Sequence, residues 1–199
     1  AKLHCGSCHL DSGRNPDSSW WVGMIKKYEY PSTHKLFARI NQCFERSMNG
    51  RPFPIADSEP VSAASDEIKA YIAYMQWLDE EYAKNHTEKP RSGFPAVEKI
   101  TGEPLRGERI FRQKCAVCHQ KEGEGRYRDN IYYRPALWGD RSFNTSAGLL
   151  AKPEKMAAFL KANMPFGFGG HLSAEESWDL VEFLKTKKRP AGPPIKPGS

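Results

Sequence analysis

A five-residue motif, C-x-x-C-H, occurs twice in this chain, at residues 5–9 and at residues 115–119. This spacing is typical of c-type haem attachment, in which two cysteines bond to the porphyrin and the histidine ligates the iron. A zinc site would need further ligands at regular spacing, and a redox C-x-x-C pair needs no histidine after it. The duplication therefore predicts two covalently bound haem c groups. The residues expected to hold them are Cys5, Cys8, His9, Cys115, Cys118 and His119.

Length and charge narrow the possible classes of protein. The chain has 199 residues and a formal net charge of +6, which allows one large domain or two smaller ones and suits an anionic substrate or an acidic redox partner. No motif points to nucleic acid, so we do not expect it as a partner. No segment approaches the ~18 consecutive apolar residues of a transmembrane helix. Because c-type haem is attached outside the cytoplasmic membrane, we expect a periplasmic, exported protein whose signal peptide has been removed.

The region around the second motif has the order of elements of a class I cytochrome c domain. A helix is predicted at 104–114, where Gly107 would let another helix cross closely. The turn at 134–139 offers a carbonyl to the Nδ1 hydrogen of His119. A helix is predicted at 153–163, and Ser173 with Glu176 forms a capping box for a last helix.

The region around the first motif is a looser copy, with helices predicted at 31–47 and at 65–84. We therefore predict an all-α fold of two class I-like haem domains in tandem. Residues 1–88 would form the first domain and residues 104–188 the second. Residues 89–103, which are interrupted by prolines and glycines, would be the linker, and residues 189–199 a flexible tail.

The sixth ligand of the second haem is expected to be Met164. It lies in a Met-Pro loop before the last helix, and a thioether ligand raises the potential of the iron. His171 is a rival donor, although an exposed loop histidine is the commoner case.

The sixth ligand of the first haem is less evident from the residues. The candidates are Met24, His34, Cys43, Met48 and Met75. Cys43 is the cysteine that the haem motifs leave over, and it shares a helical stripe with Arg39 and Ser47. An arginine beside a cysteine favours the thiolate, which is a strong iron ligand that lowers the potential. An inert buried cysteine with ligation by Met48 is the alternative.

Residues 39–50 (RINQCFERSMNG), between the two haem motifs, resemble the thiosulfate dehydrogenase (tetrathionate-forming) dihaem cytochromes. The likeness extends from Cys5 to about Lys188. It implies that His9 and Cys43 ligate haem 1 at the active site, and that His119 and Met164 ligate haem 2 at the electron exit. It also implies that Arg39 and Ser47 line the substrate pocket.

The function implied by this resemblance is the oxidation of two thiosulfate anions to tetrathionate, or the reverse reduction. Arg39, with Arg46, Lys26 and Lys27 as weaker candidates, would screen the repulsion between the anions. A small cytochrome c or a high-potential iron-sulfur protein would be the redox partner. Some relatives carry a ligating lysine where this chain has Asn163, so we predict stable His/Met ligation at haem 2.

Three other functions fit a dihaem cytochrome. A plain electron carrier would need no substrate pocket. A dihaem subunit of the thiosulfate-oxidising carrier-protein pathway would join thiosulfate to a protein instead of releasing tetrathionate. A dihaem peroxidase would need an open or bis-histidine site, which the segment around Cys43 does not suggest.

Overall fold

The computed structural model describes residues 3–54, 64–91, 93–129 and 131–193, which are mainly helical. The α-helices are α1 (Met24–Lys27), α2 (Lys35–Gln42), α3 (Asp66–Asn85), α4 (Pro104–Ile110), α5 (Ala116–His119), α6 (Gly148–Ala151), α7 (Pro153–Asn163) and α8 (Ala174–Lys185). Short 3₁₀ turns lie at Cys5–Ser7 and Asp11–Gly13, and π-helical turns lie at Cys43–Ser47 and Phe111–Cys115. We call the chain up to residue 88 the N-terminal half and the chain from residue 104 onward the C-terminal half. The predicted helices at 65–84 and 153–163 are confirmed to within one residue at each end.

The C-terminal half is built on a close crossing of α4 and α8. A Cβ atom on Gly107 would lie 2.0 Å from the carbonyl oxygen of Asp179, so only glycine allows this approach. Arg106 donates to the buried Asp179 carboxylate at 2.9 Å. The predicted capping box at the start of α8 is confirmed, because the Ser173 and Glu176 side chains each bond to the other's backbone. The core behind the crossing consists of Phe111, Met156, Ala157, Leu172, Trp178, Leu180, Val181, Phe183 and Leu184.

The N-terminal half packs α2 against α3 around a smaller core. Its buried residues are Leu36, Phe37, Ala64, Ile68, Ile72 and Met75. The spacing of Ile68, Ile72 and Met75 places them on one face of α3. The predicted helix at 31–47 begins later, at Lys35, and its last turn widens into the π-helical turn that begins at Cys43.

Two features of the C-terminal half differ from the sequence expectations. A short antiparallel hairpin, β1 (Arg126–Arg128) and β2 (Ile131–Arg134), lies between the haem motif and the proline turn, so the fold is not purely helical. The expectation of a flexible tail does not hold for residues 189–193. Here the Thr145 amide donates to Pro190 and the Gly192 amide donates to the Thr145 hydroxyl. Residues 194–199 lie outside the described part of the chain.

The two halves contact each other directly. The side chain of Asn144 donates to the Glu45 carbonyl at 2.6 Å, and the side chain of Asn163 donates to the Asp17 carbonyl at 2.7 Å. Both donors belong to the C-terminal half and both acceptors to the N-terminal half. Within the described ranges, no helix has the length and apolar character needed to cross a bilayer.

Candidate active site

The imidazole of His9 is fixed in the orientation that an iron ligand requires. Its Nδ1–H donates to the Ser19 carbonyl at 2.5 Å, which directs Nε2 as the ligating nitrogen. The Trp21 ring packs against it at 4.9 Å between centroids. Burial lowers the pKa of His9 to about 4, against a smaller raising effect of the Ser19 bond. The ring is therefore neutral at neutral pH, the form that binds metal.

An open cavity lies beside this histidine in the N-terminal half. Among its lining residues are His9, Arg39 and Cys43. Cys5, the first cysteine of the haem motif, also lines the cavity. Three predicted rivals of Cys43 also line the cavity, namely Met24, Met48 and Met75. His34, the fourth rival, is not part of the lining.

The charge of Cys43 acts on the cysteines of the first haem motif. Burial, and after it the charge of Cys43, raise the pKa of the Cys8 thiol to about 12 and raise that of Cys5. Cys43 lines the same cavity as Cys5 and His9, so the cysteine that the haem motifs leave over lies beside the first motif.

The π-helical turn changes which residue follows Cys43 along the cavity. The amide of Met48 donates to the Cys43 carbonyl at 2.9 Å, an i+5 bond, so Met48 stands one turn after Cys43. Met48 lines the cavity and Ser47 does not. The sequence prediction put Ser47 on this face because a regular α-helix, with i+4 spacing, was expected here.

Three cations line the cavity: Lys27, Arg39 and Lys155. Lys27 and Arg39 were predicted candidates, whereas Lys26 is not part of the lining. Arg46 instead donates to the Ser146 carbonyl of the C-terminal half at 3.4 Å. Sequence reasoning missed Lys155 because it lies on α7 of the C-terminal half, and no motif links it to the first haem.

An unpaired buried donor supports the fit of a haem to this cavity. The indole Nε1–H of Trp20 is buried and has no hydrogen-bond partner among the described residues, although Trp20 lines the cavity. An unsatisfied buried donor is costly, so it points to an acceptor supplied from outside the polypeptide. A carboxylate at the edge of a porphyrin attached to Cys5 and Cys8 would provide one.

The second histidine is held in the same way as the first. His119 Nδ1–H donates to the Pro135 carbonyl at 2.9 Å, which confirms the predicted role of the turn at 134–139. Burial lowers the pKa of His119, again against a raising effect of its hydrogen bond. Met164 and Cys115 pack against the same hydrophobic core. His171 is exposed, and its Nδ1–H donates to the Phe168 carbonyl at 3.0 Å.

Asn163, the neighbour of Met164, is occupied by contacts to the other half. Its Nδ2 donates to the Asp17 carbonyl at 2.7 Å and to the Phe159 carbonyl at 3.0 Å. Its Oδ1 accepts from Asn15 at 3.1 Å. The amide is buried, and all of its side-chain polar atoms already have hydrogen-bond partners. Asn163 is therefore not a suitable iron ligand.

Comparison with known proteins agrees with this geometry. A family model described as cytochrome c matches residues 105–188. The thiosulfate dehydrogenase of Allochromatium vinosum is 32% identical over 94% of this chain and 70% of the relative. The chain belongs to the thiosulfate dehydrogenase family. Covalently bound haem c is therefore expected of it, as of other c-type cytochromes.

Other members of this family show the same relationship over shorter parts of their length. The Psychrobacter arcticus enzyme is 37% identical over 95% of this chain, and the Stutzerimonas stutzeri enzyme 33% over 99%. The chain spans 57% and 63% of these two relatives. The solved thiosulfate dehydrogenase (TsdBA) from Marichromatium purpuratum superposes with a TM-score of 0.75 at 29% identity, covering 100% of this chain and 43% of that chain.

Proposed function

We propose that this chain is a dihaem c-type cytochrome that oxidises two thiosulfate anions to one tetrathionate, in a reaction that is also able to run as tetrathionate reduction. The observation that carries the proposal is Cys43, placed beside the first haem motif in a cavity lined by cations. The thiosulfate dehydrogenases named above, whose sequences align with most of this chain, support the choice of substrate.

The proposed cofactors are two haem c groups in two tandem class I-like domains, residues 1–88 and 104–188, with 89–103 as linker. When bound, each haem supplies a centre that takes up one electron. His9 and Cys43 would hold the iron of haem 1, and His119 and Met164 would hold that of haem 2. A thiolate lowers the potential and a thioether raises it, so electrons would pass downhill from haem 1 to haem 2 and leave from there.

The cations of the cavity address the main physical difficulty of the reaction. Two dianions held about 4 Å apart repel each other by roughly 4 kcal/mol even at the dielectric constant of water, and by more in a protein cavity. Arg39 and Lys27 would offset this repulsion, and the planar guanidinium of Arg39 would orient a sulfonate through paired hydrogen bonds.

Cys43 is the proposed nucleophile. In the first step its thiolate bonds to the outer sulfur of one thiosulfate, giving Cys–S–S–SO₃⁻ and two electrons, which bound haems would accept. In the second step the outer sulfur of another thiosulfate attacks that same sulfur atom. Tetrathionate forms and the Cys43 thiolate leaves, so atoms and charge balance over the cycle.

Ser47 has a more distant place in this scheme. It ends the π-helical turn outside the cavity lining. Its predicted hydrogen bond to a sulfonate therefore requires a substrate that extends beyond that lining, as the longer tetrathionate does.

The proposed setting follows from the chemistry of haem attachment. A c-type cytochrome of this kind would work in the periplasm and pass its electrons to a small cytochrome c or a high-potential iron-sulfur protein. The positive net charge of +6 would favour an acidic partner, and the association rate would then fall as the salt concentration rises.

The test is thiosulfate-dependent ferricyanide reduction by the holoprotein, with tetrathionate measured as the product. We expect one tetrathionate for every two ferricyanide ions reduced, and loss of this activity in Cys43→Ala. Haem content and the reduced spectrum of the variant provide the control for folding. An intact protein without activity would contradict the proposal. A plain electron carrier would be inactive with thiosulfate, and a carrier-pathway subunit would produce no free tetrathionate.

A further inference from the structure

Lys155 is the one cation of the cavity that comes from the C-terminal half. It lies near the start of α7, and the other two cations, Lys27 and Arg39, lie in the N-terminal half. The cavity around Cys43 is therefore shared between the two halves of the molecule.

Residues on one face of α7 contact the N-terminal half and the segment that links the two halves. Lys155, Phe159 and Asn163 are spaced four apart and so share one stripe of the helix. Phe159 packs against Phe94, which itself lines the cavity, with ring centroids 6.3 Å apart. Asn163 donates to the Asp17 carbonyl. The position of Lys155 at the cavity is thus set by the rest of its own stripe.

The three cations lack an acidic counterpart. Among the described residues, no ion pair to a carboxylate is formed by Lys27, Arg39 or Lys155. The nearest side-chain acceptor of Arg39 is the neutral Gln42 amide oxygen, at 3.5 Å. Burial, and after it the charges of Lys152, Arg39 and Lys27, lower the pKa of Lys155, while Glu154 opposes them weakly. Such a cluster is stabilised when an anion binds to it.

We propose that Lys155 is a substrate-binding residue that holds a sulfonate group at the cavity around Cys43, so that the C-terminal half completes the active site of the N-terminal half. This inference rests on the proposed function for the identity of the anion. With Lys27 and Arg39 on one side and Lys155 on the other, the cavity holds the substrate between the two halves. Productive binding of thiosulfate therefore requires the halves to remain docked.

A haem carboxylate is the competing anion for this ammonium group. Binding to a haem carboxylate and binding to the substrate have different measurable consequences. A lysine bound to a haem carboxylate tunes the potential of haem 1 and leaves the affinity for thiosulfate unchanged. A lysine bound to the substrate changes the affinity and leaves the potential unchanged.

The test compares Lys155→Gln, Lys155→Arg and Lys152→Gln in the holoprotein. Lys152 is exposed, lies three residues away and does not line the cavity, so its substitution removes the same charge without the contact. We expect Lys155→Gln to raise KM for thiosulfate roughly tenfold or more, because a charge-assisted hydrogen bond is lost. Lys155→Arg should restore most of the affinity, and Lys152→Gln should change KM by less than about twofold.

Equal KM values for Lys155→Gln and Lys152→Gln would overturn the proposal, and so would a shifted haem 1 potential with an unchanged KM. A second measurement separates this inference from the proposed reaction. Calorimetric binding of thiosulfate to Cys43→Ala, with and without Lys155→Gln, reports the anion contact in a protein without the proposed nucleophile. A binding difference there supports Lys155 even if the intact protein proves inactive, and equal binding contradicts it.

Discussion

The two halves hold the histidines of their C-x-x-C-H motifs alike but differ in what lies around those histidines. His9 and His119 each donate from Nδ1 to a backbone carbonyl a short distance along the chain. Beyond that, the N-terminal half has an open cavity lined by Cys43 and cations, whereas in the C-terminal half Met164 packs against the hydrophobic core. Under the proposed function, this difference would let the N-terminal half bind substrate while the C-terminal half passes electrons on.

The packing of the halves differs in the same direction. The C-terminal half has the larger core and the close crossing of α4 and α8. The N-terminal half has a smaller core and depends on contacts such as the Asn163 amide on the Asp17 carbonyl. The half that carries the proposed active site thus has the smaller described core and hydrogen-bonds directly to its neighbour.

The largest expected effect comes from giving the first haem the distal ligand type of the second. Cys43→Met should raise the haem 1 potential by on the order of 10² mV, because a thioether replaces a thiolate. It should also reduce thiosulfate oxidation by about 10³-fold or more, because the nucleophile is lost. A redox titration followed spectroscopically measures both haems at once.

In the same titration haem 2 is the internal reference. Asn163 is engaged by Asn15 and Asp17, so the haem 2 signal should keep one potential and show no exchange of ligands between oxidation states. An unchanged haem 1 potential in Cys43→Met would mean that another side chain, such as Met48, occupies the distal position.

A smaller effect, on the free energy of unfolding, is expected from a substitution at the close crossing of α4 and α8 in the C-terminal half. Gly107→Ala should lower the free energy of unfolding by about 3 kcal/mol, because the added Cβ would meet the Asp179 carbonyl oxygen. Chemical denaturation of the holoprotein measures the change. Gly50→Ala is the matched control, since a Cβ there would lie 3.5 Å from the Phe44 carbonyl oxygen, an ordinary contact. Equal losses in the two variants would show that α4 and α8 readjust at little cost.

The C-terminal half could be predicted well because its signals are local. Gly107 in the predicted helix, the Ser173 capping box and the turn at 134–139 can each be recognised from a short stretch of sequence, and the structure confirms all three. The hairpin of β1 and β2 was missed because its strands are three and four residues long, too short for a clear alternating pattern.

The candidate site was predicted only in part, for reasons that lie in the geometry. Cys43 and Arg39 follow from helical spacing, but the π-helical turn replaces Ser47 by Met48 along the cavity. Lys155 depends on contacts between segments more than a hundred residues apart, such as Asn15 with Asn163. Spacing rules describe one element at a time, so they give no access to a residue that another element brings to the site.

The smallest expected effect concerns the buried donor of the N-terminal cavity. Trp20→Phe removes the indole N–H, which has no hydrogen-bond partner among the described residues, together with part of the ring. If this group donates to a haem carboxylate, its loss leaves more negative charge beside the iron and stabilises the ferric state. The haem 1 potential should therefore fall by a few tens of mV, the equivalent of one neutral hydrogen bond. Trp77→Phe is the control, because Trp77 is exposed and outside the cavity lining. A haem 1 potential that stays constant in both variants would mean that the haem carboxylates do not accept from Trp20. The cations that line the cavity would then be their expected partners.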